Sequence, residues 1–122
     1  MRRAHRMRAG AAGAASVLLA LGTLLVAPRA SAQLSYADAN ALLTRNGCTR
    51  CHALDRPVKG SPSLRDIARR FRSDPNAIEN LALQVHNGSV GVFGPVPMPP
   101  MSVPKHDLDA ILHWIMQLPL DP

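Results

Sequence analysis

Cys48-Thr49-Arg50-Cys51-His52 decides how the rest of the chain is read. C-x-x-C-H reads as covalent haem attachment. Two thiols three residues apart on a helical turn can each reach one vinyl-derived carbon of the same porphyrin. The adjacent His52 then lies under the iron. Two bland readings compete. A redox-active C-x-x-C belongs in a βαβ context, and no period-2 strand pattern occurs anywhere in the chain. A structural zinc site needs four ligands, and these two cysteines are the only ones present.

Upstream of the motif, the chain opens with a basic run, Met1 to Arg8, holding four arginines. An apolar stretch from Ala9 to Ala27 follows, and then Ala30-Ser31-Ala32 before Gln33. Basic start, apolar run and small-residue exit form a secretory signal peptide over residues 1–32, leaving a single domain at 33–122. The rival is an uncleaved anchor, since the run approaches the ~18 residues a span needs. The A-x-A exit and Pro28 favour cleavage. Export places the domain in the periplasm, free of the membrane once the peptide is removed. It also explains a covalent tether, because haem lost outside the cell is not resupplied.

Removal of the leader changes the charge argument. The whole chain carries 14 Lys and Arg against 8 Asp and Glu, a formal +6. Five of those cations (Arg2, Arg3, Arg6, Arg8 and Arg29) lie in the leader, and no acid does, so the mature domain is close to neutral. A nucleic-acid partner loses its footing. The mature chain holds Tyr36, Phe71, Phe93 and Trp114 as its only aromatics. A domain this small often needs a staple, metal or cofactor, and haem supplies the missing apolar body.

Around the motif, apolar residues recur at helical spacing. Ala39, Leu42 and Leu43 mark a first helix from Ser35 to about Arg45, with Ser35 and Asp38 as its start signal and Asn46-Gly47 as its stop. Leu64, Ile67, Ala68 and Phe71 mark a second helix capped by Ser63, broken by Asp74-Pro75. Ile78, Leu81, Ala82 and Val85 mark a third, ending at Asn87-Gly88. Leu108, Ile111, Leu112 and Ile115 mark a last helix starting near Pro104. Between the third and the last, residues 88–104 hold three glycines and five prolines. Such a segment is neither helix interior nor central strand. It is nevertheless apolar, which argues against disorder and suits a wall packed on a haem face.

The iron needs a sixth ligand or an open position. Met98, Met101, Met116, His86, His106 and His113 compete for it. Met98 sits in Gly94-Pro95-Val96-Pro97-Met98-Pro99-Pro100, where prolines on both sides fix φ and leave little entropy to lose on ligation. Met101 is a genuine competitor. Met116 reads as core packing and the three histidines as surface groups, His86 at a helix C-terminus. Met98 is favoured because Met/His ligation is an established haem pattern. His52 should donate its other ring N–H to a carbonyl, and that of Pro62, in the loop after the motif, is the expected partner.

These residues resemble the small bacterial class I cytochromes c, most closely the cytochrome c-551/c-552 type. The resemblance covers nearly all of residues 33–122. It rests on the run Asn46 to Ala53, on Pro62 before Leu64-Arg65-Asp66-Ile67-Ala68, on Asn87-Gly88-Ser89, on Gly94 to Pro100 and on Trp114. It implies an all-α fold of about four helices wrapped around one covalent haem c, with Cys48 and Cys51 as tethers and His52 and Met98 as axial ligands. It also implies the Pro62 carbonyl on His52, and packing of the first helix against the last near Gly47, Leu43 and Trp114. Four positions depart from the family pattern: Ser61 replaces a glycine, Phe93 a propionate-bonding tryptophan, Met101 an asparagine and Gln84 a propionate-serving arginine.

The function expected is one-electron transfer by a monomeric, non-enzymatic carrier, meeting redox partner proteins through small transient contacts. Arg50, Arg56 and Lys59 stand ready to steer an acidic partner. Two alternatives remain: a dedicated haem subunit of a periplasmic dehydrogenase or reductase, and a haem sensor or peroxidase-like protein with a labile sixth ligand.

Overall fold

The computed structural model describes residues 33–120, so the signal peptide expected at 1–32 lies outside the described residues. Four α-helices follow in order: α1 (Tyr36–Arg45), α2 (Leu64–Phe71), α3 (Ala77–Asn87) and α4 (Lys105–Met116). A 3₁₀ turn, Cys48–Arg50, separates α1 from the long connection to α2. Among the described residues β pairing is limited to isolated bridges, His52 with Pro57, Val58 with Ser61, and Ser89 with Met98. The fold is all-α, and each helix falls where the apolar stripes predict it.

Local chemistry sets the helix ends. The Ser35 side chain accepts the Asp38 N–H at 3.1 Å and opens α1. α2 opens with a reciprocal capping box: Asp66 N–H donates to Ser63 Oγ at 3.0 Å, and Ser63 N–H donates to Asp66 Oδ2 at 3.2 Å. Such a cap contributes about 1 kcal/mol. The Ser63 hydrogen bond, then the charge of Arg69, holds the Asp66 carboxyl below its ordinary value. α1 ends as Asn46 N–H reaches the Leu42 carbonyl (3.1 Å) and Gly47 N–H the Thr44 carbonyl (3.0 Å). Gly47 has φ +77°, the left-handed exit that glycine adopts without penalty. That turn delivers the chain directly into Cys48.

α4 is the hub and packs against the other three helices. Ile111, Leu112, Trp114 and Ile115 from α4 meet Ala39 and Leu43 from α1, Leu64 and Ala68 from α2, and Leu81 from α3. Ala39 and Ala68 are fully buried, and their small side chains let the helices approach closely. Trp114 is buried with its ring centroid 6.1 Å from that of Tyr36. Burial of each large side chain stabilises by about 1.5–3 kcal/mol.

A polar tie reinforces the α1–α4 crossing. Buried Asp107, in the first turn of α4, accepts from Arg45 Nη2 at 2.8 Å and from Asn46 Nδ2 at 3.0 Å. His106 Nδ1 lies 2.8 Å from its other oxygen. Hydrogen bonds from Asn46 and Arg45 hold the Asp107 carboxyl below its ordinary value. Asn46 is therefore anchored two residues before the haem-motif turn begins. At the far end of α4, Arg65, Arg69 and Arg72 of α2 and its exit donate to the carbonyls of Pro119, Leu120 and Leu118. These three carbonyls lie in the chain after α4, so the arginines tie that segment to α2.

The segment from Gly88 to Pro104 has no regular structure but is firmly placed by its backbone. Met98 N–H donates to the Ser89 carbonyl at 2.8 Å and Ser89 N–H to the Met98 carbonyl at 3.0 Å. Met101 N–H donates to the Val85 carbonyl of α3 at 2.9 Å. At Gly88, φ is +77° and an added Cβ would sit 2.8 Å from the Met98 carbonyl oxygen. Only glycine fits there, and its absence of a side chain lets the loop fold back on itself.

Candidate haem site

The turn after α1, the start of α2, the C-terminal part of α3, the 88–104 loop and the inner face of α4 enclose one apolar cavity. It contains about 990 Å³ of space not filled by protein, part of it open to solvent. Leu43, Leu64, Ile67, Leu81, Ile111, Leu112 and Ile115 supply its helical walls. Val90, Val92, Phe93, Val96, Pro97 and Pro99 supply the loop wall. Cys48, Cys51, His52, Pro62 and Met98 all line it. Every residue that the sequence marks for haem thus borders a single space.

The motif turn is held from both sides. His52 N–H donates to the Cys48 carbonyl at 3.0 Å, closing the turn that brings both thiols to the cavity. Leu64 N–H donates to the Ala53 carbonyl (2.9 Å) and Arg65 N–H to that of Leu54 (3.1 Å), locking the residues after His52 onto α2. His52 Nδ1 lies 2.8 Å from the Pro62 carbonyl oxygen. A carbonyl can only accept, so Nδ1 is the donor in this bond and Nε2 is the nitrogen left to meet an iron. Cys48 is half-buried and Cys51 exposed. Burial pushes the Cys48 thiol up from its ordinary value.

The competing ligands lie elsewhere. Met98 borders the cavity, whereas Met101 and Met116 are absent from its lining. Met116 packs against the core. His86 is exposed and borders a separate surface groove between α3 and α4. His106 sits at Asp107, and His113 Nδ1 lies 2.7 Å from the Asp109 carbonyl. Two thiols, one imidazole oriented by a carbonyl and one thioether around an apolar space form a donor set that fits a covalent haem. It suits neither a tetrahedral metal nor a hydrolytic site. Among the described residues no cluster of three or more His, Cys, Asp or Glu side chains could hold a metal ion.

The sequence marks Ser61, Gln84, Ser89 and Phe93 only by their place in the family pattern, not by the contacts they make. Ser61, Gln84 and Ser89 add polar edges to the lining. Phe93, flagged as a departure, packs against Phe71 at 6.3 Å between centroids and lies under the Arg70 guanidinium at 5.4 Å. The Asp107 tie was unforeseen, because Arg45 and Asp107 stand 62 residues apart and no local signal links them.

Comparisons with known proteins agree with this site. No protein-family model matches the chain. Cytochrome c-551 of Pseudomonas aeruginosa is 39% identical over 100 residues, covering 81% of this chain and 89% of that protein. Cytochrome c-551 of Allochromatium vinosum is 38% identical over 101 residues, covering 82% of this chain and all of that one. The crystal structure of wild-type Nitrosomonas europaea cytochrome c552 superimposes with a TM-score of 0.60 at 35% identity, covering 64% of this chain and 96% of that one. A covalent haem pocket on a four-helix frame defines the class as c-type cytochrome. Within that class the chain belongs to the cytochrome c-551/c-552 family. It is an electron-transfer protein rather than an enzyme, and it carries one covalent haem c.

Proposed function

We propose that residues 33–122, released by cleavage of the 1–32 signal peptide, form a monomeric periplasmic one-electron carrier. Cys48 and Cys51 carry the thioether links, and His52 and Met98 fill the two axial positions of the iron. The observation that carries this reading is the shared lining: both thiols, His52 and Met98 border one apolar cavity, and Met101, Met116 and the other described histidines do not. Bound haem supplies the ferrous/ferric couple.

The chain's own residues tune that couple. The Pro62 carbonyl fixes the His52 tautomer and raises its basicity as a ligand. Met98 as the partner ligand raises the potential. An apolar lining disfavours the extra positive charge of the ferric state and acts in the same direction. With both axial positions filled there is no place for a substrate. Arg50, Arg56 and Lys59 are exposed near the motif and steer an acidic redox partner into a brief encounter. Among the described residues no helix is long and apolar enough to cross a membrane.

The visible and near-infrared spectrum of the purified holoprotein tests the reading. The expected result is a sharp reduced α-band with a ferric methionine-to-iron band in the near infrared. A high-spin spectrum that shifts under carbon monoxide would overturn it, and would mean an open sixth position.

A further inference from the structure

Haem c brings two propionate carboxylates, carried on the two pyrroles that hold no thioether. They are therefore directed away from Cys48 and Cys51. The cavity lining contains no lysine, arginine, aspartate or glutamate. Its polar edge, Ser61, Gln84 and Ser89, offers hydrogen bonds but no positive charge. An ionised carboxylate at the edge of an apolar space is costly unless a donor or a cation meets it.

Four arginines follow one another closely on α2 and its exit. Arg65 is engaged with Asp55 and the Pro119 carbonyl, Arg69 with Asp66 and the Leu120 carbonyl, and Arg72 with the Leu118 carbonyl. Arg70 differs. Among the described residues its guanidinium makes neither hydrogen bond nor ion pair, and it sits over the ring of Phe93 at 5.4 Å from the centroid. Phe93 is itself part of the lining. An aromatic platform engages the flat face of a guanidinium and leaves its in-plane N–H fork unspent. Arg70 is exposed and outside the lining itself, but Phe93 links it to the cavity wall and leaves its donors free.

We propose that Arg70, held on Phe93, is the counter-charge for a haem propionate, a positioning residue that sets the potential of the bound haem. The proposal rests on haem occupying this cavity and is independent of which residue is the sixth ligand. Loss of the Arg70 charge leaves a negative carboxylate uncompensated near the iron. Ferric iron is then favoured and the potential falls.

The test compares wild-type holoprotein with Arg70→Gln, Arg70→Lys, Arg69→Gln and Lys59→Gln. All three glutamine variants lose one positive charge, but only one of them removes the perched cation. Arg70→Gln should raise the ferric-to-ferrous ratio at fixed ambient potential by about two- to fivefold, the scale of one exposed charge pair. Arg70→Lys should restore most of it. The other two should shift the ratio by less than half as much. In the ferric paramagnetic NMR spectrum, the α-methylene resonances of one propionate should move in Arg70→Gln and hold still in Arg69→Gln and Lys59→Gln. Equal potentials across the three glutamine variants would overturn the proposal. So would a shifted potential with unmoved propionate resonances, which would mean Arg70 acts only through the packing of Phe93. The near-infrared methionine band, recorded on each sample, reports separately on the sixth ligand, so failure of that assignment is distinguishable from failure of this one.

Discussion

His52 and Met98 border the same cavity but are held there by different means. On the histidine side, a 3₁₀ turn, two backbone hydrogen bonds onto the start of α2 and a side-chain hydrogen bond to the Pro62 carbonyl all converge. Behind that turn lies the α1–α4 crossing, with Leu43, Trp114 and the Asp107 tie. On the methionine side there is no helix or strand. Met98 is placed by one pair of backbone hydrogen bonds to Ser89 and by prolines that fix φ on either side. Its side chain shows no hydrogen bond of its own among the described residues. The imidazole is thus over-determined by tertiary structure, whereas the thioether depends on a stiff loop staying folded on itself. The methionine side should yield first when the protein is stressed.

The largest perturbation removes what both sides share. Cys48→Ala with Cys51→Ala should abolish covalent haem, measured as no haem left on the protein after acid–acetone extraction. The apolar cavity then loses its filling. Core side chains lose the surface they pack against, so helical circular dichroism should fall sharply at ambient temperature.

Next in size, Met98→Ala should keep the haem attached while lowering the potential, abolishing the near-infrared band and admitting carbon monoxide. The matching Met101→Ala should leave all three unchanged. Reversal of the two outcomes would move the sixth ligand to Met101 and remove the contrast between the two sides.

A subtler break targets the loop's own fold. Gly88→Ala forces a side chain into φ +77° and to within 2.8 Å of the Met98 carbonyl oxygen. That backbone region, with ψ 167°, is essentially confined to glycine and alone costs about 1–3 kcal/mol. On heating, the near-infrared band should disappear several degrees below the loss of helical signal. In the wild type the two transitions should lie closer together.

The smallest effect sharpens the histidine side. Asp107→Asn removes the carboxylate shared by Arg45, Asn46 and His106. Because the Asp107 carboxyl is held below its ordinary value in the folded state, the unfolded chain binds its proton more readily. The tie therefore stabilises the fold above the ordinary carboxylate range, and that contribution fades as pH falls toward the lowered value. Denaturant titrations should show the variant less stable at neutral pH, with the gap closing in acid and the potential unchanged.

Much of this was legible in the residues alone. The apolar stripes of all four helices, the caps at Ser35 and Ser63, and the stops at Gly47 and Gly88 are local signals. They are set by backbone geometry within a turn or two, so they can be read without the rest of the chain. The same holds for the C-x-x-C-H motif, and for the prolines flanking Met98, which act through bonds to their immediate neighbours. One ambiguity was left: Met98 and Met101 stand three residues apart in the same apolar, proline-rich segment. The folded chain separates them, because the bridge to Ser89 brings Met98 to the cavity while Met101 is drawn to the Val85 carbonyl.

Other features exist only once the helices have packed. Asp107 looks like an ordinary first-turn acid until α4 crosses α1 and brings Arg45 and Asn46 to it. The arginines of α2 look like one solvated basic face until the chain after α4 returns beneath them. Arg65, Arg69 and Arg72 are then taken by backbone carbonyls, and Arg70 is left on Phe93. Helix periodicity specifies which face of a segment is apolar, and capping chemistry specifies where it ends. Neither specifies which distant backbone will supply an acceptor, because that depends on the distance and angle at which whole elements meet.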